Sequence, residues 1–251
     1  MKKALILLFL SYLISDSYAI RNGELIEAHY MARLYLTGRT CSAVRVSKDY
    51  FLTAAHCIKS NLSDSFTLHY NDYNTRTEES LLRSEEVKNN DVIINNTGYS
   101  EELTLIKIES NNTSPDIVQL NHMQNTPTEL SVLGYGFNRE DDKVLRIGHV
   151  IYHGQDQSLR KSMIITRPGN TSNNPCPGDS GGGLFIPGTK KLIGITSYVE
   201  NSEIDLYKKA KKLARRSYSF NSSEYFCHQA NRAFFISIEE NRDFLKTYLN
   251  L

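Results

Sequence analysis

Gly178-Asp179-Ser180-Gly181-Gly182, with Cys176 two residues ahead of it, is the stretch on which the reading of this chain turns. A serine hydroxyl is a weak nucleophile at neutral pH. It becomes a strong one only where a base takes its proton and fixed N–H dipoles receive the charge that forms. Glycines on both sides let the backbone turn tightly and bring bare N–H groups close to a substrate carbonyl. The spacing G-x-S-x-G also occurs on the nucleophile elbow of doubly wound α/β sheets. The surrounding chain therefore has to decide between folds.

Short alternating segments separated by turn residues decide it. Strands are expected at 34–36, 43–46, 50–53, 66–70, 92–95 and 103–108, then at 129–133, 145–152, 163–167, 183–186, 192–197 and 233–238. About a dozen short strands at this spacing predict an all-β protein built from barrels or sandwiches, and exclude a βαβ sheet. The polar stretch from Glu109 to Asp116 is the expected boundary between two halves.

The first residues read as a secretory signal. Lys2 and Lys3 precede an apolar run from Ala4 to Ile14, and Ser17-Tyr18-Ala19 is a small-x-small cleavage site. That run is shorter than the roughly 20 residues a membrane span needs, and no later stretch is apolar enough to cross. Residues 1–19 are thus expected to be removed, leaving 20–251. With 29 basic and 28 acidic residues, the net charge of +1 supplies no global field for nucleic acid or anionic lipid.

Export places the chain where disulfides persist. Four cysteines, Cys41, Cys57, Cys176 and Cys227, allow three pairings. Cys41–Cys57 is the local choice, and Cys176–Cys227 would then close a loop of about 50 residues. Loops of these lengths contribute roughly 3 and 4 kcal/mol in the chain-entropy account. No two cysteines have metal-site spacing. Glycosylation sequons begin at Asn61, Asn95, Asn111, Asn112, Asn170 and Asn221, although the short Lys-Lys signal and Asn/Lys/Ile-rich composition look bacterial.

Thr53-Ala54-Ala55-His56-Cys57 is the second strong motif, with small residues around a histidine able to act as base. With it, the chain resembles the chymotrypsin/trypsin family of serine endopeptidases over its whole mature length. Cys41-Ser42-Ala43 through Cys57 resembles the family's first cysteine loop. Leu103 to Ile108 resembles its "D-I-A-L-I-K-L" strand, Gly134-Tyr135-Gly136 its "G-W-G" turn, and Gly194 to Tyr198 its "G-I-V-S-W" strand. Cys176 and Cys227 resemble the pair that braces the specificity pocket. The resemblance implies two antiparallel six-stranded β-barrels, at about 20–115 and 116–251, with the active site between them and a C-terminal α-helix at Asn241 to Leu249. It also implies a secreted monomer that cleaves protein or peptide substrates without a cofactor.

The implied roles follow from the chemistry. Ser180 attacks the scissile carbonyl, His56 shuttles the proton, and the N–H groups of Gly178 and Ser180 form the oxyanion hole. The family's third triad member, an aspartate before the "I-A-L-I-K-L" strand, is here Glu102. Its extra methylene moves the carboxylate by more than about 1 Å, a displacement that can cost about 10²-fold in rate. Asp91 is the fallback. Cleavage after Ala19 exposes Ile20-Arg21-Asn22-Gly23, similar to the family's "I-V-G-G" start, so the new α-ammonium of Ile20 is expected to pair with Asp179. Signal peptidase would then generate the active N-terminus without a zymogen stage.

By the same resemblance Asn174 lies at the pocket base, Ser197, Tyr198 and Val199 line one wall, and Ala233 the other. An uncharged base and a branched wall predict cleavage after small or medium uncharged side chains. The segment from about 200 to 226 is a long insertion in which Ile204, Leu206, Ala210, Leu213 and Ala214 fall near helical spacing. Lys208, Lys209, Lys211, Lys212, Arg215 and Arg216 occupy its other face. A basic amphipathic helix is a candidate exosite or surface contact, against the simpler reading of a solvated insertion. Asp72, Glu78 and Glu79 are spaced too loosely for a calcium loop, so no metal is expected. The competing functional class is a catalytically silent homologue that uses the fold for binding; the departure at Glu102 and the rim insertion motivate it, whereas the intact serine and histidine oppose it.

Overall fold

The computed structural model describes residues 19–37, 39–59, 66–95, 103–122, 127–136, 144–156, 163–215 and 222–251. The signal-like residues 1–18, Glu102, Asn61, Arg216 and Asn221 lie outside these. Among the described residues two sheets carry the chain, antiparallel except where β9 pairs with β14. The first contains β2 (Met31–Leu36), β3 (Arg39–Arg45), β4 (Tyr50–Ala54), β5 (Phe66–Asn71), β6 (Leu82–Val87), β7 (Val92–Ile94) and β8 (Leu103–Lys107), in the order β6-β5-β2-β3-β4-β8-β7. The second contains β1 (Glu24–Leu25), β9 (Gln119–Leu120), β10 (Glu129–Gly134), β11 (Arg146–Gln155), β12 (Met163–Pro168), β13 (Gly183–Phe185), β14 (Lys191–Glu200) and β15 (Arg232–Ser237). The described residues also form four α-helices: α1 (Ala55–Lys59), α2 (Leu206–Ala214), α3 (Ser222–Gln229) and the C-terminal α4 (Arg242–Tyr248).

Period-two burial explains the strands. In β5, Phe66, Leu68 and Tyr70 turn inward while Thr67, His69 and Asn71 face outward. In the second sheet β11-β10-β13-β14-β15-β12 closes on itself through β11–β12 pairing, giving a six-stranded barrel. The first sheet is a half-barrel. Its hydrogen-bonded path among the described residues stays open, unlike the closed six-stranded barrel expected, because it ends in the three-residue β7 and the exposed edge β6, where Leu82 is 70% exposed. The expected division between halves also shifts at its start, since β1 pairs with β11 and so joins the second sheet.

One apolar cluster runs through both sheets, from Leu34, Leu52 and Leu103 to Leu133, Phe185 and Ile195. The second barrel has its own interior, formed by Leu130, Val132, Val150, Ile164, Leu184 and Phe235, and Ile20 inserts into it. β4 and β14 meet where the two sheets adjoin. That junction brings the two sequence motifs together.

Candidate active site

The serine turn is built from local bonds and then locked to the opposite sheet. Asp179 N–H donates to Cys176 O at 3.0 Å and Gly182 N–H to Asp179 O at 2.8 Å, while Gly178 and Gly181 take φ of 97° and 83°. Across the junction, Ser42 of β3 donates its N–H to Ser180 O at 2.8 Å and its Oγ–H to Gly178 O at 3.3 Å. Ser42 is itself held, because its carbonyl accepts from Thr53 Oγ1 at 2.7 Å and its Oγ accepts from Tyr135 N–H at 3.0 Å. Sequence reading missed this hub; a serine beside a cysteine carries no signal of what will fold against it.

The packing explains the glycines. A Cβ on Gly181 would lie 2.0 Å from Ser42 O and 2.1 Å from Thr53 Oγ1, at a positive φ. We expect Gly181→Ala to destabilise the fold by at least about 3 kcal/mol, because strain and overlap with backbone add. Urea unfolding measures this, and an unchanged midpoint would contradict the lock between the sheets.

Ser180 Oγ–H donates to Ser197 O at 3.1 Å. A register shift between Thr196 and Tyr198 in β14 accompanies this contact, and bulges of this kind re-aim strand groups toward sites. Among the described residues, no protein acceptor takes the N–H of Gly178 or Ser180. His56 is half-buried in α1, directly after β4, where Ala54 and Ala55 are fully buried and leave room only for small side chains. The Cys41–Cys57 disulfide anchors α1, and Cys57 Sγ lies 3.8 Å from Ser180 O, so the histidine-bearing turn abuts the serine turn. The other pairing is Cys176–Cys227. Asp91 ends a 3₁₀ turn, Asn89–Asp91, and its Oδ2 accepts from Lys88 N–H at 3.3 Å.

Asp179 is fully buried. Its Oδ2 accepts from Cys176 N–H at 2.7 Å and from Ile20 N–H at 2.9 Å. Burial pushes its carboxyl up to about 7, opposed by the amides of Cys176, Ile20 and Gly136. The cradle admits no larger neighbours, since a Cβ on Gly134 would meet Asp179 Oδ1 and one on Gly148 would meet Ile20 Cγ2, each closer than 2.5 Å. Ile20 sits at φ 34°, a region that β-branched residues avoid.

Asn174 is buried, its carbonyl accepting from Arg21 N–H at 2.8 Å and its Nδ2 lying 3.5 Å from Ala230 O. Val199 and Ala233 are direct cross-strand partners in β14 and β15, and the rings of Tyr198 and Phe234 stack at 4.5 Å. The expected insertion helix is α2, capped by Asp205, whose side chain accepts from Lys208 N–H. The second insertion helix, α3, was not foreseen, because its sequence lacks an apolar stripe; it carries Cys227 itself. Asp72 is engaged by Arg45 at 2.7 Å. Among the described residues no group of three His, Cys, Asp or Glu side chains could hold a metal ion. Of the sequons, Asn95 and Asn112 are buried hydrogen-bond donors, to Asn241 and to Asp72 and Tyr73, whereas Asn111 and Asn170 are exposed.

A serine turn on one sheet and a histidine turn on the other, abutting at the junction of a barrel and a half-barrel, define a chymotrypsin-like serine protease architecture. A family model described as Trypsin matches residues 20–217, and the chain belongs to that family of serine endopeptidases, which act on protein or peptide substrates. It is 26% identical over 208 residues to snake venom serine protease KN13 of Trimeresurus stejnegeri, covering 72% of this chain and 80% of the relative. It is 28% identical over 224 residues to thrombin-like enzyme CPI-enzyme 2 of Gloydius ussuriensis, with coverages of 77% and 82%. The solved structure of HL collagenase superposes with a TM-score of 0.59 at 19% identity, over 92% of this chain and 98% of that one. These named relatives are eukaryotic and do not support the bacterial origin expected from composition. Venom relatives and two disulfides fit an extracellular protein. Among the described residues, no helix is long and apolar enough to cross a membrane.

Proposed function

We propose that the chain hydrolyses peptide bonds through an acyl-enzyme formed on Ser180. Ser180 Oγ adds to the scissile carbonyl carbon as His56 accepts its proton. The carbon–nitrogen bond then breaks, and the same proton passes to the leaving amine. Water, deprotonated by His56, hydrolyses the ester and restores Ser180. The N–H groups of Gly178 and Ser180 stabilise the oxyanion in both halves. The observation that carries this reading is the lock of the serine turn onto β3, with Oγ at Ser197 O and the two amides left for substrate. Leu103 pairs with Ala54, two residues from His56. That register supports Glu102, the residue before Leu103, as the carboxylate that orients His56; Asp91 instead caps its own turn.

The same reading covers the N-terminus. While Ala19 is attached, Ile20 offers Asp179 only an amide and bears a strained φ. Cleavage after Ala19 converts that amide into an ammonium and removes the torsion, because a first residue has no φ. A peptide-free fluorophosphonate should label Ser180 in secreted protein that begins at Ile20. Absence of label in such protein sinks the enzymatic mechanism, and a different first residue sinks cleavage after Ala19.

Asn174 carries no charge for a basic substrate side chain, and Val199 faces Ala233 across the strands. Cleavage after small or medium uncharged residues follows. Val199→Gly is expected to raise kcat/KM for substrates with an aromatic residue before the cleaved bond by roughly tenfold to a hundredfold. A peptide series varied at that residue measures it, and an unchanged preference would remove Val199 from the pocket. On α2, Leu206 and Ala210 are buried while Lys208, Lys209, Lys211, Lys212 and Arg215 are exposed. The apolar face is already covered by protein, which leaves little to sink into lipid. Exosite contact through α2 is therefore electrostatic.

A further inference from the structure

Arg21 makes a set of contacts that the triad chemistry does not use. Its Nε donates to Ser172 O at 2.7 Å, and its Nη1 donates to His228 O at 2.9 Å and lies 3.4 Å from Cys227 O. Ser172 is two residues before Asn174, on the strand-to-loop approach to the pocket base. Cys227 and His228 belong to the last turn of α3, beside the pocket disulfide. The last carbonyls of a helix have no intrahelical donors, and a cation there is favourable. A guanidinium suits this place, since its fixed fork reaches several carbonyls at once and stays charged.

The backbone around Arg21 is tied to the same base segment. Arg21 N–H donates to Asn174 O at 2.8 Å, and Asn173 Nδ2 donates to the carbonyls of Arg21 at 3.0 Å and Asn22 at 2.8 Å. One residue therefore spans the loop bearing Asn174 and the helix bearing Cys227. The disulfide joins these two elements covalently from Cys176; Arg21 joins them through hydrogen bonds from Ser172. Among the described residues, Asn174 Nδ2 also lies 3.5 Å from Ala230 O, just past the end of α3.

We propose that Arg21 is a positioning residue that sets the spacing between the segment bearing Asn174, at the base of the substrate pocket, and the end of α3 that carries the bracing cysteine Cys227. The strap 20–22 then does two separate jobs when it docks: Ile20 reaches Asp179, and Arg21 fixes the pocket for the residue before the cleaved bond. The proposal rests on the pocket reading given above. It also gives the insertion a role, since α3 supplies the carbonyls that Arg21 holds.

The test compares wild type, Arg21→Gln and Arg21→Lys, each confirmed by sequencing to begin at Ile20. Two readouts are taken: the rate of labelling by a small peptide-free fluorophosphonate, and KM and kcat for peptides that differ only before the cleaved bond. Arg21→Gln should label within about twofold of wild type, raise KM by roughly 5- to 30-fold and flatten the preference among peptides, in line with losing charged hydrogen bonds. Arg21→Lys, which keeps the charge without the fork, should fall between. Wild-type KM and preference in Arg21→Gln overturn the proposal, as does loss of labelling in step with the rise in KM, which would place the effect at the serine turn. If Arg21→Gln does not fold, Arg21→Lys decides alone: raised KM with normal labelling supports the proposal, and wild-type KM overturns it. Failure of wild type to label is a failure of the enzymatic mechanism instead, and is separately visible.

Discussion

Ser180→Ala should lower kcat/KM on peptide substrates by about 10⁶-fold and abolish fluorophosphonate labelling. Removing the nucleophile of such a site leaves only binding and the oxyanion donors, which is why a residual rate about 10³–10⁴ above water is expected. The serine turn should survive the change. Ser180 is held by its carbonyl, through Ser42 N–H, and by bonds of its neighbours to Cys176 and Gly182; its Oγ contributes the single 3.1 Å contact with Ser197 O. Stability should therefore fall by no more than about 1 kcal/mol, the worth of one ordinary hydrogen bond. Thermal unfolding alongside kinetics separates the two effects. Retention of labelling, or a residual rate within about 10² of wild type, would place the chemistry elsewhere.

Asp179→Asn should lower kcat by about 10²–10³-fold in protein that begins at Ile20. The variant leaves the Ile20 ammonium buried without its counter-charge, and an unpaired buried charge costs about 3–5 kcal/mol. The strap should then leave its cradle, taking order in the serine turn with it. The pH dependence of stability gives an independent check. In the uncut chain Asp179 is pushed up to about 7 by burial, above its unfolded value near 4, so the folded state binds the extra proton between those values. Uncut protein must then lose stability as pH rises from about 4 to 7, by at most about 1.4 kcal/mol per pH unit, and level off above. An ammonium at Ile20 lowers the same carboxyl and reverses the sign. Its contribution is present above the unfolded carboxylate range and is lost as pH falls through the depressed value. Urea midpoints of uncut protein should thus fall from pH 5 to 7 while those of cut protein stay level there and fall only as pH drops below about 4, and Asp179→Asn should remove both slopes. Parallel slopes in the two forms would refute the pairing.

The elements with an inward apolar face are legible in the sequence. The twelve expected strands coincide with β2–β5, β7, β8 and β10–β15, and Asn241 to Leu249 contains α4. β6 was not legible, because its Arg83, Glu85 and Glu86 lie on an edge with no interior face to pattern. β1 and β9 are two-residue pairings too short to carry periodicity. α3 was hidden because it is held by the disulfide and by Arg21, not by a stripe of apolar side chains.

What the sequence determined by itself is local: alternation of apolar residues, glycines around Ser180, small residues beside His56, and the cysteine positions. These are set by backbone sterics and burial within a few residues, and they suffice for fold class and for proposing Ser180 as nucleophile and His56 as base. Tertiary structure alone decided that Ser42 bolts the serine turn to the opposite sheet. It also decided that Asp179 meets Ile20 across 159 positions of chain, and that Arg21 bridges the segment at Ser172 and the end of α3. Each of these is a hydrogen bond between distant segments, whose partners are chosen by how two curved sheets meet.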